Sequence, residues 1–389
     1  MPPRPHGSVV DAGDAAADTD LRSALVHREI FQLLAVIALA VAAFLVTRGI
    51  ARSNREMTLR DAEEWFRRGQ QARQMGHLGE AVDDLRRAAV RNRGDKRYLF
   101  ALADALAVAH DQDGARSVLI TLRESEPEDR EINLQLARLA AAREDVTEAL
   151  RFYHNALYAP WPNEMVGPRR TVRIELARFL LGHGQAGEAV AELLALAADM
   201  PDELGLHLEM GQLFADAGDQ PHALEQFQRA LQQDPDNRAA LAGAGLAAFH
   251  AGDYATARSL LRRLPPDADD ARAVRELAEL VLSKDPLATR IGSTERRQRL
   301  VGDIEYVDQR IGACNENGNG SDASTALADD AEAFKAQLAK PGALEQDTVE
   351  AGVDLIERVE AEIARRCGPI TPLDQALALI GRQHRVDAR

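Results

Sequence analysis

A period of 34 residues governs the middle of this chain. Six segments of that length begin at residues 62, 96, 130, 170, 204 and 238, and an insertion, 164–169, separates the third from the fourth. Internal repetition at this spacing is typical of solenoid proteins, in which each unit buries its apolar face only against its neighbours. The period therefore predicts a stack of similar units over residues 62–271.

Within each unit, the same positions carry the same kind of residue. Position 8 is Gly or Ala in all six units, position 20 is always Ala, and position 24 is large and apolar. Small residues let two antiparallel helices approach closely, and the large residue fills the gap between one unit and the next. Gly at position 15 of four units permits a left-handed turn, and Pro at position 32 of three units ends the second helix. The pattern predicts one helical hairpin per unit.

These positions resemble those of the tetratricopeptide repeat (TPR) family. The most similar segments are LGLHLEMGQLFADAGDQPHALEQFQRALQQDPDN (204–237) and AEEWFRRGQQARQMGHLGEAVDDLRRAAVRNRGD (62–95), and the second carries Trp65 at the family's position 4. Unit three departs from the family with Trp161 at position 32, and unit six departs with Asp269. The resemblance implies an all-α, TPR-type helical-hairpin solenoid that binds a protein or peptide ligand in a concave groove.

The resemblance places the groove on positions 2, 5, 6, 9, 12 and 13 of the first helices. Positions 5 and 9 lack the Lys and Asn of the family's carboxylate clamp, so capture of a C-terminal carboxylate is not supported. The apolar residues at position 5 are either a peptide-contact stripe or packing between first helices. The polar candidates for the protein-binding groove are Arg97, Asp104, Gln135, Arg138, Glu175, Arg178, Glu209 and Gln212.

Two interpretations are open for Arg138 and Arg178, which share position 9 of units three and four. Two guanidinium groups at adjacent repeats can bind a carboxylate through paired hydrogen bonds. The alternative is a solvated helix face with ion pairs to Asp104 and Glu175.

An uncharged apolar stretch of 18 residues, 30–47, precedes the repeats. As a helix it would be about 27 Å long, close to the thickness of a bilayer's hydrocarbon core. We therefore expect a transmembrane helix over 30–48, a disordered N-terminal tail over 1–29, and a juxtamembrane linker over 49–61. A buried core helix and a cleaved signal peptide are the alternatives.

Two features make opposite predictions for the side of the membrane. The flank 10–29 carries two basic residues and the flank 48–67 carries five, which favours a cytoplasmic repeat domain. Cys314 and Cys367 are the only cysteines, and a disulfide between them would indicate an oxidising compartment. Two unrelated buried thiols are the alternative. We expect a single-pass protein of the inner (cytoplasmic) membrane whose repeats lie on the periplasmic side.

The remainder, 272–389, has helical apolar spacing without the repeat, and we interpret it as a capping helix and a C-terminal helical module. After the capping helix, the spacing predicts helices over 293–314, 324–339, 345–367 and 372–383, with a flexible loop over 315–324.

The composition and motifs narrow the function. A formal net charge of −15 argues against a nucleic-acid binder, which needs basic surface to neutralise phosphates. The sequence contains no P-loop, GxGxxG, HExxH or GxSxG motif and no spaced set of metal ligands, so we expect no catalysis, no cofactor and no metal. The primary hypothesis is a membrane-tethered scaffold for protein–protein interaction or complex assembly. The alternatives are an accessory or regulatory subunit of a membrane enzyme complex, acting through the C-terminal module, and a self-assembling structural protein. The oligomeric state stays open.

Overall fold

The computed structural model describes residues 12–265, 269–340 and 343–387. Over these ranges the chain forms seventeen α-helices and no β-strand, which confirms the predicted all-α fold. It divides into two compact units, Met1–Trp161 and Pro162–Arg389.

The first unit consists of a long N-terminal helix and five shorter ones. Its helices are α1 Ala12–Gln74, α2 Leu78–Arg91, α3 Lys96–Val108, α4 Gln112–Ser125, α5 Arg130–Ala142 and α6 Val146–Tyr158.

The second unit begins with three further hairpins and ends with five helices outside the repeat. A 3₁₀ turn over Asn163–Met165 precedes α7, and a π-helical turn over Asn315–Asn319 follows α14. The hairpin helices are α7 Val166–Gly182, α8 Ala186–Ala197, α9 Leu204–Asp216, α10 Gln220–Gln233, α11 Arg238–His250 and α12 Tyr254–Leu261. The others are α13 Asp269–Lys284, α14 Ser293–Cys314, α15 Asp322–Leu338, α16 Gln346–Arg366 and α17 Pro372–Asp387.

Every repeat turns between its two helices at position 15. In units one, four, five and six the residue is glycine, with φ between 73° and 84°. His110 and Glu144 adopt the same left-handed conformation at this position in units two and three, with φ of 64° and 59°. In all six units, the N–H of position 16 then donates to the carbonyl of position 11 at 2.8–3.0 Å, which closes the first helix. The predicted turn is present even where glycine is not.

Small and large residues pack against each other as the repeat pattern predicts. A side chain built at Gly69, Gly211 or Gly245 would collide with the position-24 residue of the same unit. In these three units, the contacts are possible only because the residue at position 8 is glycine. The two helices of each unit therefore lie closer together than a larger residue at position 8 would allow.

The N-terminal helix corrects two expectations. The sequence predicts a disordered tail to residue 29 and a separate linker over 49–61, whereas α1 is continuous from Ala12 into the first helix of the repeats. No proline interrupts residues 12–74, and Ala, Leu, Arg and Glu favour helix throughout. The part of the predicted tail at 1–11 lies outside the described residues.

Part of α1 is long and apolar enough to cross a membrane. The most apolar stretch of this helix has no buried residue, and its side chains Leu39 and Phe44 are 74% and 60% exposed. The segment is therefore not a core helix of this chain, and a membrane span and a signal anchor are the two interpretations that its composition allows.

The C-terminal module is closed by a disulfide. Cys314 is the last residue of α14 and Cys367 directly follows α16. A disulfide bond joins them, with 5.1 Å between the two Cα atoms. Helix α15 follows α14 in the opposite direction, and α16 reverses the chain once more. Helices α14 and α16 are therefore parallel neighbours whose C-terminal ends meet. A single apolar core joins α11 and α12 to this module, and α13 covers the last hairpin.

A polar network fixes the start of α17. The Asp374 carboxylate accepts hydrogen bonds from the Tyr306 hydroxyl at 2.7 Å, from Arg310 Nη2 at 2.8 Å and from the Thr371 N–H at 2.7 Å. Burial alone would raise the pKa of Asp374, but these bonds outweigh it and lower the pKa below its usual range. Asp374 is therefore a charged structural residue that ties α17 to α14.

Candidate functional site

In the first unit, the predicted groove residues lie on α3 and α5. Arg97 donates to Asp95, the residue that caps its own helix, at 2.7 Å, and Gln135 donates to Glu131 at 3.3 Å. Asp104 accepts a hydrogen bond from Arg73, which belongs to the preceding first helix. Arg138 is exposed on α5.

In the second unit, the predicted groove residues lie on α7 and α9. Arg178 of α7 donates to Glu209 of α9, and Gln212 donates to Asp216 at 2.7 Å. Glu175 is partly exposed, one helical turn before Arg178. The pairs Arg73–Asp104 and Arg178–Glu209 each span 31 residues, so each links two consecutive first helices.

Three of the predicted residues line one cleft, which has a volume of about 400 Å³. Arg178 contributes from α7, and Glu209 and Gln212 contribute from α9. The remaining lining residues are Leu181, Leu213 and Asp216, which were not among the residues predicted from the sequence. The repeat pattern could have identified two of them. Leu181 and Asp216 occupy positions 12 and 13 of their units, which are groove positions, whereas Leu213 occupies position 10, which is not.

The cleft combines an apolar base with a charged rim. Leu213 is buried and Leu181 is half-buried, whereas Arg178 and Gln212 are exposed. The Arg178–Glu209 ion pair has side chains that are 59% and 33% exposed, and such pairs contribute at most about 1 kcal/mol to stability. The pair is weak enough for a ligand's charges to replace it, and the apolar base offers area that a ligand can bury.

The apolar residues at position 5 serve mainly as packing. Ile174 is 6% exposed and belongs to the core of the second unit, and Leu134 is 7% exposed. In the first unit, the rings of Phe66 and Tyr98 lie 4.9 Å apart between α1 and α3. Among the alternatives for this stripe, these contacts favour packing between first helices over direct peptide contact.

A buried histidine on α9 has a structural role. His207 of α9 is 1% exposed, and its two ring nitrogens contact Gln226 at 2.9 Å and Asp202 at 2.7 Å. The hydrogen bond with His207 and a second from Gln233 lower the pKa of Asp202. Both nitrogens are occupied, so His207 joins α9, α10 and the preceding loop and offers no atom to a ligand.

The structure brings together only some of the predicted residues. Arg138 and Arg178 lie in different compact units, so their joint carboxylate site stays a prediction. Within the described ranges, no group of three or more His, Cys, Asp or Glu side chains is arranged to hold a metal ion.

A known family matches one part of the repeats. The model of a tetratricopeptide repeat family matches residues 208–273, from within α9 to the start of α13. Residues 208–273 therefore carry a tetratricopeptide repeat match. The other hairpins of the repeat share the left-handed turn and the helix-closing hydrogen bond of the matched segment. No curated protein matches the chain.

Several solved TPR structures are similar to it at low identity. YrrB, a TPR protein with an unusual peptide-binding site, is 19% identical, with 50% of this chain and 100% of YrrB covered and a TM-score of 0.39. PilF of Pseudomonas aeruginosa is 17% identical, with coverages of 57% and 99% and a TM-score of 0.39. The C-terminal part of a TPR repeat-containing protein from Cytophaga hutchinsonii is 12% identical, with coverages of 74% and 98% and a TM-score of 0.41.

Proposed function

We propose that this chain is a membrane-tethered TPR scaffold that holds a partner protein for complex assembly at the bacterial inner membrane. The observation that carries the proposal is the cleft between α7 and α9, which has an apolar base and a weakly paired charged rim. The ligand is a peptide segment of the partner, with an apolar side chain on Leu181 and Leu213 and charged groups that pair with Arg178 and Glu209. The role is one of binding, without catalysis.

The anchor gives such a scaffold its advantage. The exposed apolar segment of α1 would hold the repeats at the bilayer, where partners in the same membrane reach a high effective concentration. A cleft of moderate affinity is then sufficient. Because α1 continues into the first repeat helix, the span and the repeats share one helix instead of a flexible linker.

The disulfide supports a location of the repeats outside the cytoplasm. Disulfides persist in the periplasm and are reduced in the cytosol, so the Cys314–Cys367 bond outweighs the five arginines of the flank 48–67 in this proposal. Protease treatment of intact spheroplasts tests it. Digestion of residues 75–389 is expected, and protection that is lost only on lysis would contradict it.

Site-specific photocrosslinking in the native membrane tests the cleft. A benzoylphenylalanine at Gln212, which is exposed in the cleft, is expected to give an adduct of defined mass. The matched control is Arg229, which is equally exposed on the second helix α10. Arg178→Glu should abolish the adduct, and Arg178→Glu combined with Glu209→Arg shows whether charge order matters. Equal adducts at both positions, or none at Gln212, would contradict the assignment of the cleft.

A second candidate function rests on the C-terminal module. This module contributes five helices and a disulfide to the apolar core that it shares with the last repeat, so it is more than a cap. It suits an accessory or regulatory subunit of a membrane enzyme complex. A chain with Arg178→Glu that still assembles into its native complex would favour this function over the scaffold.

A further inference from the structure

The C-terminal module and the last repeat enclose a second pocket, with a volume of about 550 Å³. Its walls are largely apolar and include Phe249 of α11, Leu277 of α13 and Leu379 of α17. Ile370 is 46% exposed at its edge, and Ala361 is exposed as well, so the pocket opens to solvent. Concave apolar pockets of this size are typical of small-molecule sites.

One side chain in this pocket is chemically unusual. Glu360 of α16 is 3% exposed, and its Oε1 atom has no hydrogen-bond partner in the described part of the chain. A buried polar group without a partner lowers the stability of the fold. Folding alone therefore gives no reason to retain a glutamate at this position.

The other two acids of the lining are already paired. Asp374 binds Arg310, and Glu357 binds Arg385. Arg382 also lines the pocket, but its Nε donates to the backbone carbonyl of Ala378 at 3.2 Å. Glu360 is thus the one acid among the three that no arginine of the described chain pairs with.

The surroundings of Glu360 disfavour its charge in the absence of a ligand. Burial, followed by the nearby Asp374 carboxylate, raises the pKa of Glu360 to about 8, and Arg310 opposes the shift only in part. The other titratable or charged groups of the pocket are Glu357, His250 and Arg382. A cation that entered the pocket would compensate both the burial and the repulsion by Asp374.

We propose that this pocket binds a small organic amine, with its ammonium group on Glu360 Oε1 and its apolar body between α11, α13 and α17. The ammonium supplies the donor that the carboxylate lacks, as arginine does for the other two acids. The apolar walls supply the affinity, because they are removed from water together with the apolar body of the ligand. This site is separate from the TPR cleft and does not depend on the function proposed for that cleft.

The test is a titration of the full-length protein in lipid nanodiscs with cyclohexylmethylammonium, followed by saturation-transfer NMR. The neutral analogue cyclohexylmethanol has the same apolar body without the charge, and empty nanodiscs correct for binding to lipid. The amine is expected to bind at least tenfold more tightly than the alcohol. Glu360→Gln should remove this difference and leave the affinity for the alcohol unchanged.

Two further variants make the result specific. Glu350→Gln, an exposed acid on the same helix that does not line this pocket, should bind the amine as the wild type does. Ala361→Trp, at the mouth, should weaken both compounds without disturbing the core.

Equal binding of amine and alcohol, or an unchanged amine affinity in Glu360→Gln, would overturn the proposal. Tighter binding of a capped Leu-Lys-Leu peptide than of the amine would also overturn it, because the occupant would then be a partner's lysine. Far-UV circular dichroism of each variant separates loss of the site from loss of the fold. If Glu360→Gln does not fold, the comparison of amine with alcohol on the wild type decides the proposal, and Ala361→Trp shows whether both compounds bind in this pocket.

Discussion

Phe227 provides the sharpest test of how the TPR hairpins pack. Its ring is 3% exposed and lies between Gly211 of α9 and Gly243 of α11. A Cβ atom at Gly243 would lie 2.4 Å from the ζ carbon of the ring and 2.6 Å from both ε carbons, and one at Gly211 would lie 2.8 Å from the nearest ring carbons. We therefore predict that Gly243→Ala destabilises the repeats, although alanine is the better helix former.

The magnitude follows from two opposing effects. Gly→Ala in an unobstructed helix stabilises by up to about 1 kcal/mol. Overpacking a core costs about 1–3 kcal/mol. The ring is buried and lies against both glycines, so it cannot move aside at low cost. The net expected loss is about 1–2 kcal/mol, or about 2–8 °C in Tm for a folded unit of this size.

The assay is thermal unfolding followed by far-UV circular dichroism. Gly205→Ala is the matched control, because Gly205 lies on α9 with no atom within 4 Å of its added Cβ, and its Tm should stay constant or rise. Phe227→Leu in the Gly243→Ala background should restore part of the loss, since a smaller side chain relieves the collision. A Tm that rises as much in Gly243→Ala as in Gly205→Ala would refute this account of the packing.

Three further predictions concern the turns, the disulfide and a buried acid. Glu144→Gly should raise the free energy of unfolding by about 1 kcal/mol, because Glu144 has a left-handed φ of 59° that a residue with a side chain adopts at a cost; urea titration measures this. Reduction of the Cys314–Cys367 bond should lower stability by up to about 4 kcal/mol, as expected for a bridge of 53-residue separation, and differential scanning calorimetry with and without dithiothreitol measures this. Burial raises the pKa of Asp303 to about 7, and Lys284 opposes this shift only in part. Between about pH 4 and pH 7 the folded state therefore holds a proton that the unfolded chain releases, so the protein should become less stable as the pH rises. Measuring Tm at pH 5 and pH 8 tests this.

Each of these predictions has a control. Gly218→Ala should have the opposite effect and lower the free energy of unfolding, because Gly218 has a φ of 80° in the equivalent turn of another unit. The double variant Cys314→Ser and Cys367→Ser should match the reduced wild type and should not respond to dithiothreitol. Asp303→Asn should reduce the loss of Tm between pH 5 and pH 8, and an unchanged loss would mean that Asp303 does not carry it.

The repeats were predictable because their signals are local. Gly or a left-handed residue at position 15 sets the turn, and the small and large residues at positions 8 and 24 meet within one unit, such as Gly211 and Phe227. These contacts lie between residues that are close in sequence. Because the pattern occurs in six units, a departure at one position of one unit does not hide it. The same signals did not reveal the N-terminal boundary, because α1 continues through residues 49–61 and no helix-breaking residue separates the apolar segment from the first repeat.

The candidate cleft was predictable only in part. Arg178, Glu209 and Gln212 follow from the repeat positions, but their apolar neighbours Leu181 and Leu213 look like ordinary core residues in the sequence. Whether such a leucine is fully buried or lies at the base of an open cleft depends on the spacing of α7 and α9.

By itself, the sequence determined the helical repeats, the turns and the apolar segment, since each depends on composition and short-range spacing along the chain. Only the tertiary structure decided how the C-terminal module closes and what it encloses. Cys314 meets Cys367 because α15 returns the chain and places α14 and α16 in parallel. Glu360 has the spacing of an ordinary helix-face acid, and it becomes an unpaired acid in an apolar pocket only where α11, α13 and α17 surround it. Burial and pairing are properties of the environment that distant segments create, so a one-dimensional pattern does not contain them.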